Sequence, residues 1–117
     1  MAQFASDTWF AELKERVNRL EKFNQAARWF EGRVGWIVDD NSHVLNIAKG
    51  QVKAVEAGRG KTDFAMAGDL AAWQELLQKG TINRMFRQNK IAIEGDRVAA
   101  MRFWKVLWYL TETARNL

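Results

Sequence analysis

The spacing of apolar residues alternates between two periods along the chain, and each change of period marks a new element. Phe10, Leu13, Val17 and Leu20 recur at three- and four-residue intervals, which puts them on one face of a helix. Ser6 or Asp7 stands before them, and a short side-chain oxygen there can accept from the free amides of a first helical turn. Glu12–Arg16 and Glu15–Arg19 are i,i+4 pairs on the outside. Ala27 and Phe30 continue the stripe after a break near Arg19 to Lys22, so the first 30 residues read as helix. The period then drops to two. Val34, Trp36 and Val38 alternate with Arg33, Gly35 and Ile37. Asp39-Asp40-Asn41-Ser42 is a turn cluster, His43 to Ala48 a second strand, Lys49-Gly50 a tight turn, and Gln51 to Ala57 a third strand. Gly58-Arg59-Gly60-Lys61 reads as a mobile loop before a fourth strand with Phe64 and Met66. These four strands are expected to form an antiparallel meander.

Helical spacing returns after Gly68. Asp69 can cap a helix burying Leu70, Trp73, Leu76 and Leu77, and Lys79-Gly80 is a helix stop. Thr81 can cap a short helix carrying Ile82, Met85 and Phe86. Ile91 and Ile93 alternate with Ala92 and Glu94 in a fifth strand, and Asp96 caps one long helix running to about Asn116. The order predicts an α+β domain, a five-stranded, mainly antiparallel sheet with helices packed on one face.

Composition narrows the functional classes. At 117 residues the chain suits a single domain spanning 1–117. It has no cysteine, which excludes disulfides, zinc–thiolate sites, iron–sulfur clusters and a thiol nucleophile. It has no proline either, so its turns rely on Gly, Asn and Asp. A net charge of +4 permits anionic partners without requiring them. The first seven residues show no secretory signal, and the apolar stretch Val98 to Leu110 is interrupted by Arg102 and Lys105 and is shorter than the roughly 20 residues a bilayer needs. A soluble cytoplasmic protein with no membrane span is expected.

No catalytic motif survives inspection. Gly60-Lys61-Thr62 lacks the phosphate loop's earlier glycine, since position 55 is Val55, and a strand follows it where a helix is required. Asp39, Asn41 and His43 lack the glycine and glutamate of a calcium loop; Val44 and Val55 stand there. His43 is the only histidine and reads as a surface residue at a strand edge. The only serines, Ser6 and Ser42, sit in no nucleophile elbow. Asp and Glu are plentiful, but nothing singles out an acid–base pair. No enzyme activity, cofactor or metal is expected. Arg84, Arg87, Lys90, Arg97, Arg102 and Lys105 form a basic run interleaved with Phe86, Phe103 and Trp104. A solvated helix face, a head-group contact at a pocket mouth and nucleic-acid binding are its three readings, and the third lacks any accompanying RNA-binding motif.

The apolar content is more telling. There are six tryptophans and seven phenylalanines. From Val98 to Leu110 the apolar residues cover nearly the whole circumference of a helix, where a surface helix needs only a stripe. The surplus requires a second buried face, a subunit contact, or a cavity for an apolar ligand.

From about residue 31, and with the N-terminal helix nearly over its full length, the chain resembles the sterol carrier protein type-two family. The stretches that carry the likeness are Lys61 to Asp69, Leu70 to Gly80, and Lys90-Ile91-Ala92-Ile93-Glu94-Gly95-Asp96. The resemblance implies a five-stranded sheet covered on one face by helices, with an apolar tunnel between them that takes a fatty acid, acyl-CoA, sterol or phospholipid. By position, Trp36, Val38, Phe64, Met66, Ile91 and Ile93 would form the sheet floor of the tunnel. Trp73, Leu76, Leu77, Met85 and Phe86 would form the helical wall, and Met101 and Trp104 the closing helix. Arg87 or Arg102 could orient a head group. Two departures stand out. The last helix is longer and more aromatic than the family's usual ending, so it either fills the tunnel or mediates a homodimer. The C-terminus, Ala114-Arg115-Asn116-Leu117, is not a peroxisomal Ser-Lys-Leu signal. Two functions follow: a non-catalytic lipid carrier, or an accessory, self-associating domain whose C-terminal helix packs on a partner.

Overall fold

The computed structural model describes residues 3–117; the signal-free reading of the N-terminus includes Met1 and Ala2, which lie outside the described residues. Two helices, α1 (Asp7–Asn18) and α2 (Glu21–Ala26), precede β1 (Gly32–Val38), β2 (Asn41–Ala48), β3 (Gln51–Ala57) and β4 (Phe64–Gly68). Helices α3 (Leu70–Gln78) and α4 (Ile82–Arg87), strand β5 (Ile91–Gly95), and helices α5 (Arg97–Arg102) and α6 (Trp104–Arg115) complete the chain. Short polar side chains start four of the helices. Ser6 accepts from the Trp9 amide, Asp69 from Ala72, Thr81 from Arg84 and Asp96 from Ala99, each satisfying one of the amides a helix start leaves free. The expected break after Arg19 is present, with Leu20 extended between α1 and α2.

The terminal helix is not one rod. Phe103, at φ −107° and ψ 31°, divides α5 from α6. A straight helix that is apolar all round cannot bury its whole circumference against one layer. The bend resolves this: α5 lies on β4 and β5, while α6 crosses the other helices.

The sheet order is β3-β2-β1-β4-β5. The first three strands form the expected meander. Two-residue turns join them, with Asp39, Lys49 and Gly50 at positive φ. The fourth strand departs from it: β4 lies beside β1 and runs parallel to it, pairing Val34 with Phe64 and Trp36 with Met66, and β5 then adds antiparallel to β4. Segment 58–63 therefore crosses the outer face of the sheet and does not close a hairpin. Gly35 makes room beneath it, since a Cβ there would stand 2.7 Å from the Ala65 Cβ and 3.3 Å from Thr62 Cγ2.

Alternation sorts the strands into two faces. Val34, Trp36, Val38, Leu45, Ile47, Phe64, Met66, Ile91 and Ile93 are buried members of one core with residues from the helices. Asn18 fixes α1 to the edge strand: its Oδ1 accepts from the Val52 amide at 2.7 Å and its Nδ2 donates to the Val52 carbonyl at 2.9 Å. A side-chain amide thus completes an otherwise open strand edge.

Candidate functional site

The space between sheet and helices is where an apolar cargo would lie, and the chain's own rings occupy it. Trp36 from β1 and Trp73 from α3 stack with centroids 4.7 Å apart and 22° between planes. Trp73 Nε1 donates to the Ile37 carbonyl at 2.8 Å. Trp36 Nε1 is buried without a partner, an uncommon and costly state for an indole N–H. Trp9 and Phe10 from α1 meet the Trp36 ring edge-on at 5.7 and 5.6 Å. At another point in the layer Phe30 joins Phe64 at 5.5 Å and Phe103 at 4.9 Å.

Most of the expected lining residues meet here. Trp36, Phe64, Met66, Trp73, Leu76, Met85 and Ile91 are fully buried, with Val38 and Ile93 nearly so. Leu77, Phe86 and Trp104 are half-buried and pack against the core from its margin. The Phe86 and Trp104 rings lie 5.3 Å apart, and Trp104 Nε1 donates to Asn83 Oδ1. Three residues fall outside the layer. Met101 is 47% exposed because α5 turns Ala100 inward. Arg87, at the end of α4, and Arg102, at the end of α5, are exposed, the latter with its guanidinium carbon 5.6 Å from the Phe103 ring. Helix α6 buries Val106, Leu107, Leu110 and Ala114 in its own chain and leaves Trp108 and Tyr109 half-buried.

Three clefts lie along α1. One of about 490 Å³ is bounded by Asp7, Asp40, Ser42, His43 and Arg59, among others. A second, of about 340 Å³, shares Asp7 and His43 and adds Ala11, Lys14 and Val55; a third, of about 550 Å³, continues past Ala11 and Lys14 to Asn18 and Gln51. Their shared residues make them a run of clefts along α1 and the β2–β3 side of the sheet. None of the expected lining residues faces these clefts.

His43 corrects the surface reading. It is only 4% exposed. Its Nε2 lies 2.9 Å from Asp7 Oδ1, and its ring stacks on Phe10 with centroids 4.2 Å apart. Since an ionised carboxylate only accepts, Nε2 carries the proton. His43 therefore separates the clefts along α1 from the aromatic layer. The signal was in the register, because His43 is in phase with Leu45 and Ile47 on the inward face.

The basic run divides. Lys90 Nζ lies 2.8 Å and Arg84 3.7 Å from Glu75. The hydrogen bond from Lys90, aided by the nearby positive charges, holds the Glu75 carboxyl below its usual range. Among the described residues no cluster of three or more His, Cys, Asp or Glu could hold a metal ion, and no helix is long and apolar enough to cross a membrane.

The profile of the SCP-2 sterol transfer family matches residues 10–107, the span from Phe10 to Leu107 that builds the aromatic layer. The chain belongs to that family. The match takes in the N-terminal helix, as the nearly full-length resemblance implied. The fold is shared with a crystal structure of sterol carrier protein 2 at TM-score 0.88 and 21% identity, over 98% of this chain and 99% of that one. A conserved hypothetical protein from Thermus thermophilus follows at TM-score 0.82 and 21% identity, over 97% and 89%. Palmitated SCP2L2 from Aedes aegypti superimposes at TM-score 0.61 and 20% identity, over 86% and 92%. No curated protein matches the chain in sequence. At these identities the structures speak for the fold: a five-stranded mixed sheet with helices, as the periodicity implied apart from the place of β4.

Proposed function

We propose that this protein is a non-catalytic lipid carrier that takes an acyl chain or sterol ring system into the layer between sheet and helices. The family match over residues 10–107 carries the reading. The predominantly apolar character of the layer supports it, because burying such a cargo requires no directed chemistry. The chain's own rings fill the layer, so loading parts them and the cargo replaces contacts that the chain makes with itself. Burying about fourteen methylenes at roughly 0.8 kcal/mol each gives about 11 kcal/mol of gross transfer free energy. Micromolar affinity needs about 8 kcal/mol, which leaves roughly 3 kcal/mol to open the layer, about the cost of a sizeable core rearrangement.

In this reading Arg102, beside Phe103 at the α5–α6 bend, meets the cargo's carboxylate or phosphate, with Arg87 as the second candidate. Native mass spectrometry of the purified protein, followed by extraction, tests the proposal together with displacement of a fluorescent fatty acid. Co-purified lipid and stoichiometric, competable binding are expected. A protein that arrives free of lipid and leaves the probe unbound at concentrations of about 100 μM, far above a micromolar Kd, refutes it.

A further inference from the structure

Among the described residues, Trp36 Nε1 and His43 Nδ1 are buried without a hydrogen-bond partner, on residues that are 0% and 4% exposed. Buried polar groups are seldom left so. Trp73 and Thr111, also buried, find partners within the chain: the indole donates to the Ile37 carbonyl and the hydroxyl to the Leu107 carbonyl. The two unpaired nitrogens are also neighbours. Trp36 and His43 stand directly opposite each other where β1 pairs with β2. Side chains so placed share a face of the sheet and rise from Cβ atoms about 4.5–5.5 Å apart. Phe10 touches both rings, stacking on His43 at 4.2 Å and meeting Trp36 edge-on at 5.6 Å. The two rings therefore border one place in the layer, against Phe10.

Their chemistry is complementary. An indole N–H only donates. The His43 ring gives its Nε2 proton to Asp7 Oδ1 at 2.9 Å, so in a neutral imidazole Nδ1 only accepts. One donor and one acceptor in apolar surroundings match a group that is both, and a hydroxyl is such a group. Its oxygen accepts from Trp36 Nε1 and its hydrogen goes to His43 Nδ1. An ether oxygen serves Trp36 alone. An ionised carboxylate would leave Nδ1 unpaired and bring a charge into a layer where burying one is costly; in the carrier reading it stays outside with Arg102. We propose that Trp36 and His43 together read a hydroxyl on the cargo, so that the layer selects a lipid alcohol over the same molecule without its hydroxyl. The inference rests on the carrier reading above and deepens it: it names the polar group that enters the layer and the two residues that receive it.

Displacement of a fluorescent fatty acid by decanol, decyl methyl ether and decane tests it, at about pH 8, where an imidazole carries one proton. Comparing probes within one variant removes changes in packing, and comparing those ratios between variants removes the probes' differing hydration. The preference for decanol over decane should fall at least ~tenfold in Trp36→Phe, and likewise in His43→Phe. The preference for decanol over the ether, which has no hydrogen to donate, should fall in His43→Phe and hold in Trp36→Phe. Should His43→Phe fail to fold, the indole N–H resonances of the wild-type protein give a second reading. The one that Trp36→Phe deletes should move further downfield with decanol than with decane, as its hydrogen bond forms. A decanol preference that is the same in wild type and Trp36→Phe overturns the inference and leaves the carrier reading standing; a water held permanently between the rings would give that result. So does an indole resonance that decanol moves no further than decane, and so does decanol that fails to displace a bound fatty acid. Failure of the fluorescent fatty acid itself to bind overturns the carrier reading, and this inference with it.

Discussion

Trp36 and Trp73 make the sharpest stability comparison in the molecule, because two fully buried, mutually stacked indoles differ in one respect. Trp73 Nε1 donates to the Ile37 carbonyl at 2.8 Å, whereas Trp36 Nε1 has no partner. Changing either to Phe removes a similar amount of ring and leaves a similar small hole, so the packing losses should nearly cancel in the comparison. The hydrogen-bond contributions do not cancel. Trp73→Phe loses a bond with a net value of about 0.5–1.5 kcal/mol, while Trp36→Phe relieves an unpaired buried donor that costs about 1–3 kcal/mol. Trp73→Phe should therefore be the less stable by roughly 1.5–4.5 kcal/mol, and Trp36→Phe should lie close to wild type. At this chain length one kcal/mol moves the melting temperature by roughly 4 °C, so a gap of about 6 °C or more is expected. Urea titration gives the free energies directly, with unchanged slopes as the check that both variants unfold in the same way. Equal midpoints, or a Trp36→Phe protein less stable than Trp73→Phe, would refute the assignment of the unpaired donor to Trp36.

Three further outcomes follow from named contacts. Asn18→Ala removes both bonds to Val52 and leaves the β3 edge open beneath α1, so it should cost about 1–3 kcal/mol by urea titration. Gly50→Ala combines φ +78° with a Cβ 2.7 Å from the Asn24 carbonyl oxygen; it should destabilise by more than about 1 kcal/mol, where alanine at an unstrained glycine would stabilise. Glu75 has its folded-state carboxyl pKa held below the ordinary value, mainly by Lys90, so its contribution is complete above that ordinary value and is lost as pH falls through the folded value. The midpoint difference between wild type and Glu75→Gln should be present at neutral pH and shrink as the solution is acidified; a difference that grows on acidification would contradict the pairing.

What the sequence made legible was local. The caps at Ser6, Asp69, Thr81 and Asp96, the two-residue turns and the alternation within each strand depend on neighbours a few positions away, and all are present. The place of β4 depends on which edge of the β1–β2–β3 meander it joins. Alternation of Phe64 and Met66 says which face they occupy but not which strand lies beside them. Phe103 breaks the terminal helix because of what surrounds it, since neither glycine nor proline marks the site. Most of the expected lining residues converged for the same reason that any inward-facing set converges. Their packing into a filled layer depends on summed volumes, and an apolar pattern carries no volume. Met101 was expected in the helix that closes the layer, and the bend at Phe103 leaves it on the surface.

The central claim is that cargo enters the layer between sheet and helices, and the methionines can report on it directly. Met66 and Met85 are fully buried in that layer, while Met101 is half-exposed on α5. With methyl-labelled methionine and a fatty acid carrying a nitroxide on its chain, the methyl resonances of Met66 and Met85 should shift and broaden in step with stoichiometric binding. Met101 should respond less. Saturable binding that leaves Met66 and Met85 unchanged would place the cargo elsewhere on the protein and contradict the account.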